Sequence, residues 1–172
     1  MESTNLICGG TKFKYSNGYI GLPVEVDSIP DTVFIEGETL QKKSSFHVSL
    51  LCVKDILAIK DISEQEILEA FCTFTTNNDI SFFRYTGEFR FAQHEERKTL
   101  IALCEVSNLE SLFKFLNARL GTAIATQPTH MTLYTLQPNV GIGLNTPADM
   151  ETKSISVEPP ATLKGVLGIG QE

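Results

Sequence analysis

Two amphipathic helical patterns alternate with runs of strand pattern, and this order constrains the fold more than any other feature of the chain. Residues 63–75 predict the first helix, because Ser63 and Glu66 form a capping box ahead of apolar residues at helical spacing. Residues 109–120 predict the second helix, with Gly121 at the position where a left-handed residue commonly ends a helix. Strand patterns occupy residues 17–27, 45–53, 79–85, 88–94, 99–106 and 129–136. The mixed order predicts an α+β fold.

The middle of the chain predicts a β-hairpin, because strand patterns flank the turn residues Thr86-Gly87-Glu88. In this hairpin Tyr85 would lie opposite Phe89, and the aromatic side chains would occupy a different face from the basic ones.

The segments outside the strong patterns predict less regular structure. Residues 28–39 are typical of a loop, and residues 153–158 predict one more strand in a tail that is otherwise mobile. We expect a single domain over residues 1–172, with a core at about residues 17–145 and a tail at 146–172. Each half of this core supplies one helix and one histidine-bearing strand.

The net charge limits the partners that the protein can bind. The 172 residues include 21 acidic and 14 basic residues, which give a formal net charge of -7. Duplex DNA requires many Lys or Arg contacts to phosphates, so it is not an expected partner, whereas a nucleotide needs only a local positive pocket. No apolar run approaches the roughly 18 residues that span a membrane, and the N-terminus lacks a signal-peptide pattern. We therefore expect a cytoplasmic monomer without a membrane partner.

The four cysteines are widely spaced and lie in apolar runs: Cys8, Cys52, Cys72 and Cys104. Four cysteines could form disulfides, but these positions favour reduced, buried thiols in a reducing compartment.

Two predicted strands carry the same short motif, HVSL at residues 47–50 and HMTL at residues 130–133. Side chains alternate along a strand, so each histidine shares a face with the hydroxyl residue that follows it at the second position, about 7 Å away. If the two strands lie side by side, two imidazoles and two hydroxyls face a single pocket.

Such a set of groups suits the cleavage of a phosphodiester near neutral pH. One imidazole removes a proton from the attacking oxygen and the other protonates the leaving oxygen, while hydroxyls hydrogen-bond the phosphate oxygens. The three histidines are far apart and no C-x-x-C is present, so the sequence predicts neither a metal site nor a cofactor. The competing interpretation is a generic α+β domain in which both histidines are structural.

The paired motifs resemble the H-x-[ST]-hydrophobic motifs of the 2H phosphoesterase superfamily, and the resemblance covers roughly residues 17–145. It implies a two-lobed, pseudo-symmetric α+β fold in which antiparallel sheets line a central cleft and helices lie outside. It also implies that His47 and His130 form the acid/base pair and that Ser49 and Thr132 bind the phosphate. We assign His47 as the general acid and His130 as the base that activates water.

Three further residues are candidates for substrate binding: Tyr134, Arg84 and Lys43. Tyr134 follows Thr132 on the same predicted strand face and could stack on a base, although a core tyrosine fits equally. Arg84 could bring positive charge to the cleft or lie on a solvated surface, and Lys43 precedes the first motif.

The expected function is metal-independent hydrolysis of 2′,3′-cyclic phosphates on RNA ends or nucleotides. Hydrolysis of cyclic oligonucleotides or 2′-5′ linkages requires the same groups and remains an alternative. A non-catalytic protein that binds nucleotides or RNA ends on the same fold is a further alternative.

Overall fold

The computed structural model describes residues 4–169. It contains ten strands: β1 (Thr4–Cys8), β2 (Thr11–Ser16), β3 (Tyr19–Pro23), β4 (Thr32–Ile35), β5 (Glu38–Lys42), β6 (His47–Cys52), β7 (Phe82–His94), β8 (Arg97–Val106), β9 (His130–Thr135) and β10 (Ser154–Val157). It contains five helices: α1 (Val53–Ile59), α2 (Glu64–Asn77), α3 (Leu109–Leu120), α4 (Pro147–Lys153) and α5 (Ala161–Val166). None of the helices within these residues is long and apolar enough to cross a membrane.

Strand pairing produces one large antiparallel sheet with the order β1-β2-β3-β6-β9-β8-β7-β10, and β5 joins β4 to the end of β9. The α+β class predicted from the sequence is therefore confirmed. Strands β6 and β9 lie at the centre of this order, with three strands beyond each of them. They pair with each other through one registered residue pair, Val48–Met131. The two histidine-bearing strands are thus direct neighbours although 83 residues separate their motifs.

The two long helices begin and end near the predicted residues. Ser63 caps α2 by accepting a hydrogen bond from the Glu66 backbone N–H at 3.1 Å, which confirms the first half of the capping box. Gly121 ends α3 in the left-handed conformation, with φ of 70°. The apolar stripes of the helices pack against the sheet and against each other, through the ring pairs Phe13–Phe71 and Phe74–Phe115.

The predicted hairpin around Gly87 is wrong, because one continuous strand, β7, runs through this segment. Tyr85 lies opposite Cys104 of β8 rather than opposite Phe89, and the register shifts between these two aromatic residues. The turn signal at Gly87, whose φ is 97°, marks this β-bulge. The chain reverses at residues 95–96 instead, between β7 and β8.

Two segments contain more regular structure than the sequence patterns indicated. Residues 28–39, predicted as a loop, contain β4 and the start of β5, which pair with each other around Gly37. The strand predicted at 153–158 is confirmed as β10, which pairs with β7. The segment predicted as mobile contains α5, while residues 170–172 lie outside the described residues.

The main hydrophobic core also includes residues from both ends of the described chain. Phe13 is fully buried and Leu163 almost so, although both lie outside the core range expected from the sequence. The sequence patterns did not predict that the N-terminal end belongs to the core, because β1 and β2 form a half-exposed hairpin without strong apolar alternation.

The cysteine prediction is wrong for one pair. Cys8 of β1 and Cys72 of α2 form a disulfide, while Cys52 and Cys104 are buried free thiols. Disulfides are characteristic of oxidising compartments, so the pairing removes the ground on which a reducing compartment was expected.

Candidate active site

The pairing of β6 with β9 places the two sequence motifs side by side. Val48 lies opposite Met131, and both side chains are fully buried in the core. Because side chains alternate along each strand, the flanking histidine and hydroxyl residues point to the other face of the sheet. Because the strands are antiparallel, the register places His47 next to Thr132 and His130 next to Ser49.

All four motif residues, His47, Ser49, His130 and Thr132, line one cavity of about 400 Å³. The structure therefore brings together the four predicted catalytic residues on one open face of the sheet. The volume lies within the usual range for small-molecule sites.

His130 is held in one orientation by the backbone. It is 7% exposed, and its Nδ1 lies 3.2 Å from the carbonyl oxygen of Pro128. A carbonyl can only accept a hydrogen bond, so Nδ1 carries the proton and Nε2 is the basic nitrogen of the neutral ring. Burial lowers the pKa of His130, the Pro128 contact raises it, and the nearby Lys43 lowers it.

His47 lies in an environment that disfavours its charged form. Burial lowers its pKa to about 4, and the positive charges of Lys43, Lys14 and His130 contribute to this shift. The imidazole therefore has a low affinity for protons in the absence of an anion. A bound phosphate would oppose these terms and raise the pKa, because it stabilises the imidazolium.

A glycine on the neighbouring strand makes room for the His47 ring. Gly21 of β3 lies opposite Ser49, next to a register shift in the β3–β6 pairing. A Cβ atom at Gly21 would lie 2.9 Å from Cδ2 of His47. The imidazole thus packs directly against the glycine backbone, at a position that leaves no space for a side chain.

Four cationic side chains from four different segments lie around the histidines. Lys43, Lys54 and Arg97 line the cavity with the histidines, and Lys14 lines an adjoining cavity that shares His47. Among the described residues, no aspartate or glutamate lines either cavity, although acidic residues outnumber basic ones in the chain. Within residues 4–169 none of the four cations forms an ion pair.

The motif analysis predicted only Lys43 among these cations. Lys14 belongs to β2, Lys54 to α1 and Arg97 to the first position of β8, so no local spacing connects them with either motif. Strand pairing brings Lys14 and Arg97 to the site, and Lys54 reaches it because α1 directly follows β6.

The loop after β9, at residues 141–145, forms another wall of the cavity. Asn145 in this loop donates from Nδ2 to the Tyr19 hydroxyl at 3.0 Å and to the Asp55 carboxylate at 3.2 Å. A Cβ atom at Gly143 would lie 2.8 Å from the Tyr19 hydroxyl oxygen, so the loop packs closely on β3. Burial raises the pKa of Tyr19 to about 12, which keeps this hydroxyl neutral.

Two predicted substrate-binding residues lie away from the cavity. Tyr134 is fully buried, and its hydroxyl donates to the Pro30 carbonyl at 2.7 Å. The β8–β9 pairing shifts register between the residues opposite Thr132 and Tyr134. This shift interrupts the alternation of side chains along β9, on which the prediction for Tyr134 depended. Arg84 is exposed and donates to both carboxylate oxygens of Glu105, at 2.9 and 3.1 Å.

The chemistry of the lining side chains indicates which kind of ligand the cavity suits. Within residues 4–169, no group of three or more His, Cys, Asp or Glu side chains is arranged to hold a metal ion. The cavity instead presents imidazole, hydroxyl, ammonium and guanidinium groups, which together suit an anion.

Comparison of the chain with protein-family models, with curated proteins and with solved structures finds no match.

Proposed function

We propose that the chain is a metal-independent phosphodiesterase that opens 2′,3′-cyclic phosphates of RNA ends or nucleotides by two-histidine acid/base catalysis. One observation carries the proposal: two H-x-[ST] motifs on paired strands face one cavity, and its lining within residues 4–169 includes cations and no carboxylate. A cyclic phosphate is an anionic diester, and its hydrolysis requires a base, an acid and donors for the phosphate oxygens.

The hydrogen bonds of His130 suit it to the role of base. Its Nε2 is unprotonated in the neutral ring and accepts a proton from water, whose oxygen attacks phosphorus. The bond from phosphorus to one ribose oxygen breaks, and that oxygen receives the proton of the His47 imidazolium. The product is a phosphate monoester next to a free hydroxyl, so atoms and charges balance.

Binding of the substrate would prepare His47 for the role of acid. In the empty cavity burial and Lys43 lower the pKa of His47, but the phosphate anion favours its protonated form. Ser49 and Thr132 donate hydrogen bonds to the non-bridging oxygens, where negative charge accumulates during attack. Lys43, Lys54 and Arg97 supply the positive charge.

The topology supports placing the chain on the 2H phosphoesterase fold. Three strands lie beyond β6 on one side of the sheet and three beyond β9 on the other. Each half of the chain contains one long helix, α2 in the first half and α3 in the second. Such a division agrees with two lobes related by pseudo-symmetry, with the cleft at the β6–β9 junction.

The test is hydrolysis of 2′,3′-cyclic AMP in the presence of EDTA. We expect His47→Ala and His130→Ala each to lower kcat/KM by about 10²–10⁴-fold, because each removes one proton-transfer group. His94→Ala is the matched control, because the third histidine is exposed on β7 and lines neither cavity.

Equal rates for all four proteins, or loss of wild-type activity in EDTA, would reject the proposal. Nucleotide binding by the wild type without turnover would instead favour a non-catalytic binding protein on the same fold.

A further inference from the structure

A second cavity of about 300 Å³ adjoins the one that contains the catalytic residues. Lys43 and His47 line both cavities, so the second lies directly next to the reacting groups. Its remaining wall includes Lys14 of β2 and the residues Ser44 and Ser45 that precede β6. The mechanism proposed above does not use this cavity.

The charge around the two cavities exceeds what a single cyclic phosphate requires. A 2′,3′-cyclic mononucleotide carries one negative charge, whereas four cations without ion pairs within residues 4–169 line the two cavities. Lys54 and Arg97 line only the first cavity, and Lys14 lines only the second. The charge of Lys14 is therefore available for a different anionic group.

Lys14 and Lys43 line the same cavity. Burial lowers the pKa of Lys43, and the charge of Lys14 adds to this effect. Two unpaired cations that repel each other across a cavity are stabilised when an anion binds between them.

The polar groups nearby complete the second cavity. The Ser44 hydroxyl and backbone N–H both donate to Oδ1 of Asn139, at 3.2 and 3.1 Å, which ties this wall to the loop after β9. Ser45 is exposed and lines the second cavity, so its hydroxyl can donate to a ligand.

We propose that the second cavity binds a second phosphate of the substrate, between Lys14 and Lys43. The inference rests on the proposed function and narrows its substrate class to nucleotide chains with at least two phosphates, linear or cyclic. The scissile phosphate occupies the cavity of the two histidines, and the adjacent phosphate of the chain occupies the second cavity.

The experiment compares two non-cyclic probes, uridine 3′-phosphate and the dinucleotide UpUp, by isothermal titration calorimetry. The wild type should bind the dinucleotide at least about tenfold more tightly, because the second phosphate adds charge-assisted hydrogen bonds. Lys14→Ala should reduce this preference to about threefold or less, and Lys14→Arg should restore most of it.

Lys12→Ala is the matched control. Lys12 lies two residues earlier on β2, on the same strand face as Lys14, but it is exposed and lines neither cavity. This variant should retain the full preference for the dinucleotide. An equal loss in the two alanine variants would show a long-range charge effect and would overturn the inference.

The remaining outcomes separate the inference from the proposed function. A Lys14-dependent preference without hydrolysis of any cyclic substrate would reject the phosphodiesterase and retain the second phosphate site. Hydrolysis of 2′,3′-cyclic AMP by a wild type that binds both probes equally would retain the phosphodiesterase and overturn the inference.

Discussion

At the scale of single residues, two histidines with the same neighbours in sequence acquire different properties from their surroundings. The Pro128 carbonyl accepts a hydrogen bond from Nδ1 of His130 and thereby selects one tautomer of its neutral ring. His47 contacts Gly21 instead, and its pKa is lowered by burial and by lysines. This difference supports His130 as the base and His47 as the acid in the proposed reaction, which are the roles expected from the sequence.

The lowered histidine pKa values predict an acidic optimum for kcat/KM. The reaction needs His130 neutral and His47 protonated, and the pKa of His47 in the free protein is about 4. The proton that His47 must donate is therefore lost progressively as the pH rises above about 4, so kcat/KM should fall throughout the neutral range.

The optimum of kcat should lie at higher pH than that of kcat/KM, because the bound phosphate raises the pKa of His47. Rate profiles with 2′,3′-cyclic AMP would measure both quantities. A kcat/KM that rises continuously to pH 8 would contradict the assignment.

At the scale of secondary-structure elements, the site depends on how β6 is held between β3 and β9. Its partner β9 contributes the second motif, and β3 contributes the glycine against which the His47 ring packs. A bulge in β9 then directs Tyr134 into the core, although simple alternation would place it beside Thr132. Small irregularities in pairing thus decide which side chains reach the cavity.

Gly21→Ala should reduce activity by displacing the His47 ring. The added Cβ would lie 2.9 Å from Cδ2 of His47, so the ring or the strand must shift. Misplacement of a catalytic group by about 1 Å can cost about 100-fold, and we expect kcat/KM to fall by about tenfold to 100-fold.

Gly165→Ala serves as the control for this substitution, because within residues 4–169 no atom outside the adjoining helix backbone lies within 4 Å of the added Cβ. It should leave kcat/KM unchanged. Wild-type activity in the Gly21 variant would show that the ring position does not limit catalysis.

At the scale of the whole molecule, the charge of the cavities is opposite in sign to the net charge of the chain. The net charge is -7, yet among residues 4–169 those that line the two cavities include four cations and no acid. A concave site lined by one sign of charge focuses the electric field, so a protein that is acidic overall can still attract a small anion. Composition led us to expect no duplex partner, but it could not show this local positive charge.

The disulfide should stabilise the molecule as a whole, because it links β1 at the edge of the sheet to α2 across 64 residues of sequence. Replacement of Cys8 and Cys72 by serine should lower the free energy of unfolding by roughly 2–4 kcal/mol. Denaturant titrations under oxidising conditions measure this difference. Dithiothreitol should remove the extra stability of the wild type and leave the stability of the double variant unchanged. Equal stabilities of the two proteins without reductant would contradict the prediction.

Local interactions determined what could be predicted from the sequence alone. The capping box at Ser63, the terminating Gly121 and the apolar stripes specify the two long helices, because each involves residues within a few positions of one another. In the same way, strand alternation placed each histidine on one face with its hydroxyl partner.

Only the tertiary structure decided which distant residues meet. The pairing of β6 with β9, the approach of Lys14 and Arg97 to the histidines, and the Cys8–Cys72 bond all join segments far apart in the chain. Such contacts depend on strand register and core packing across the whole sheet, and no local pattern encodes a register between strands that are distant in sequence.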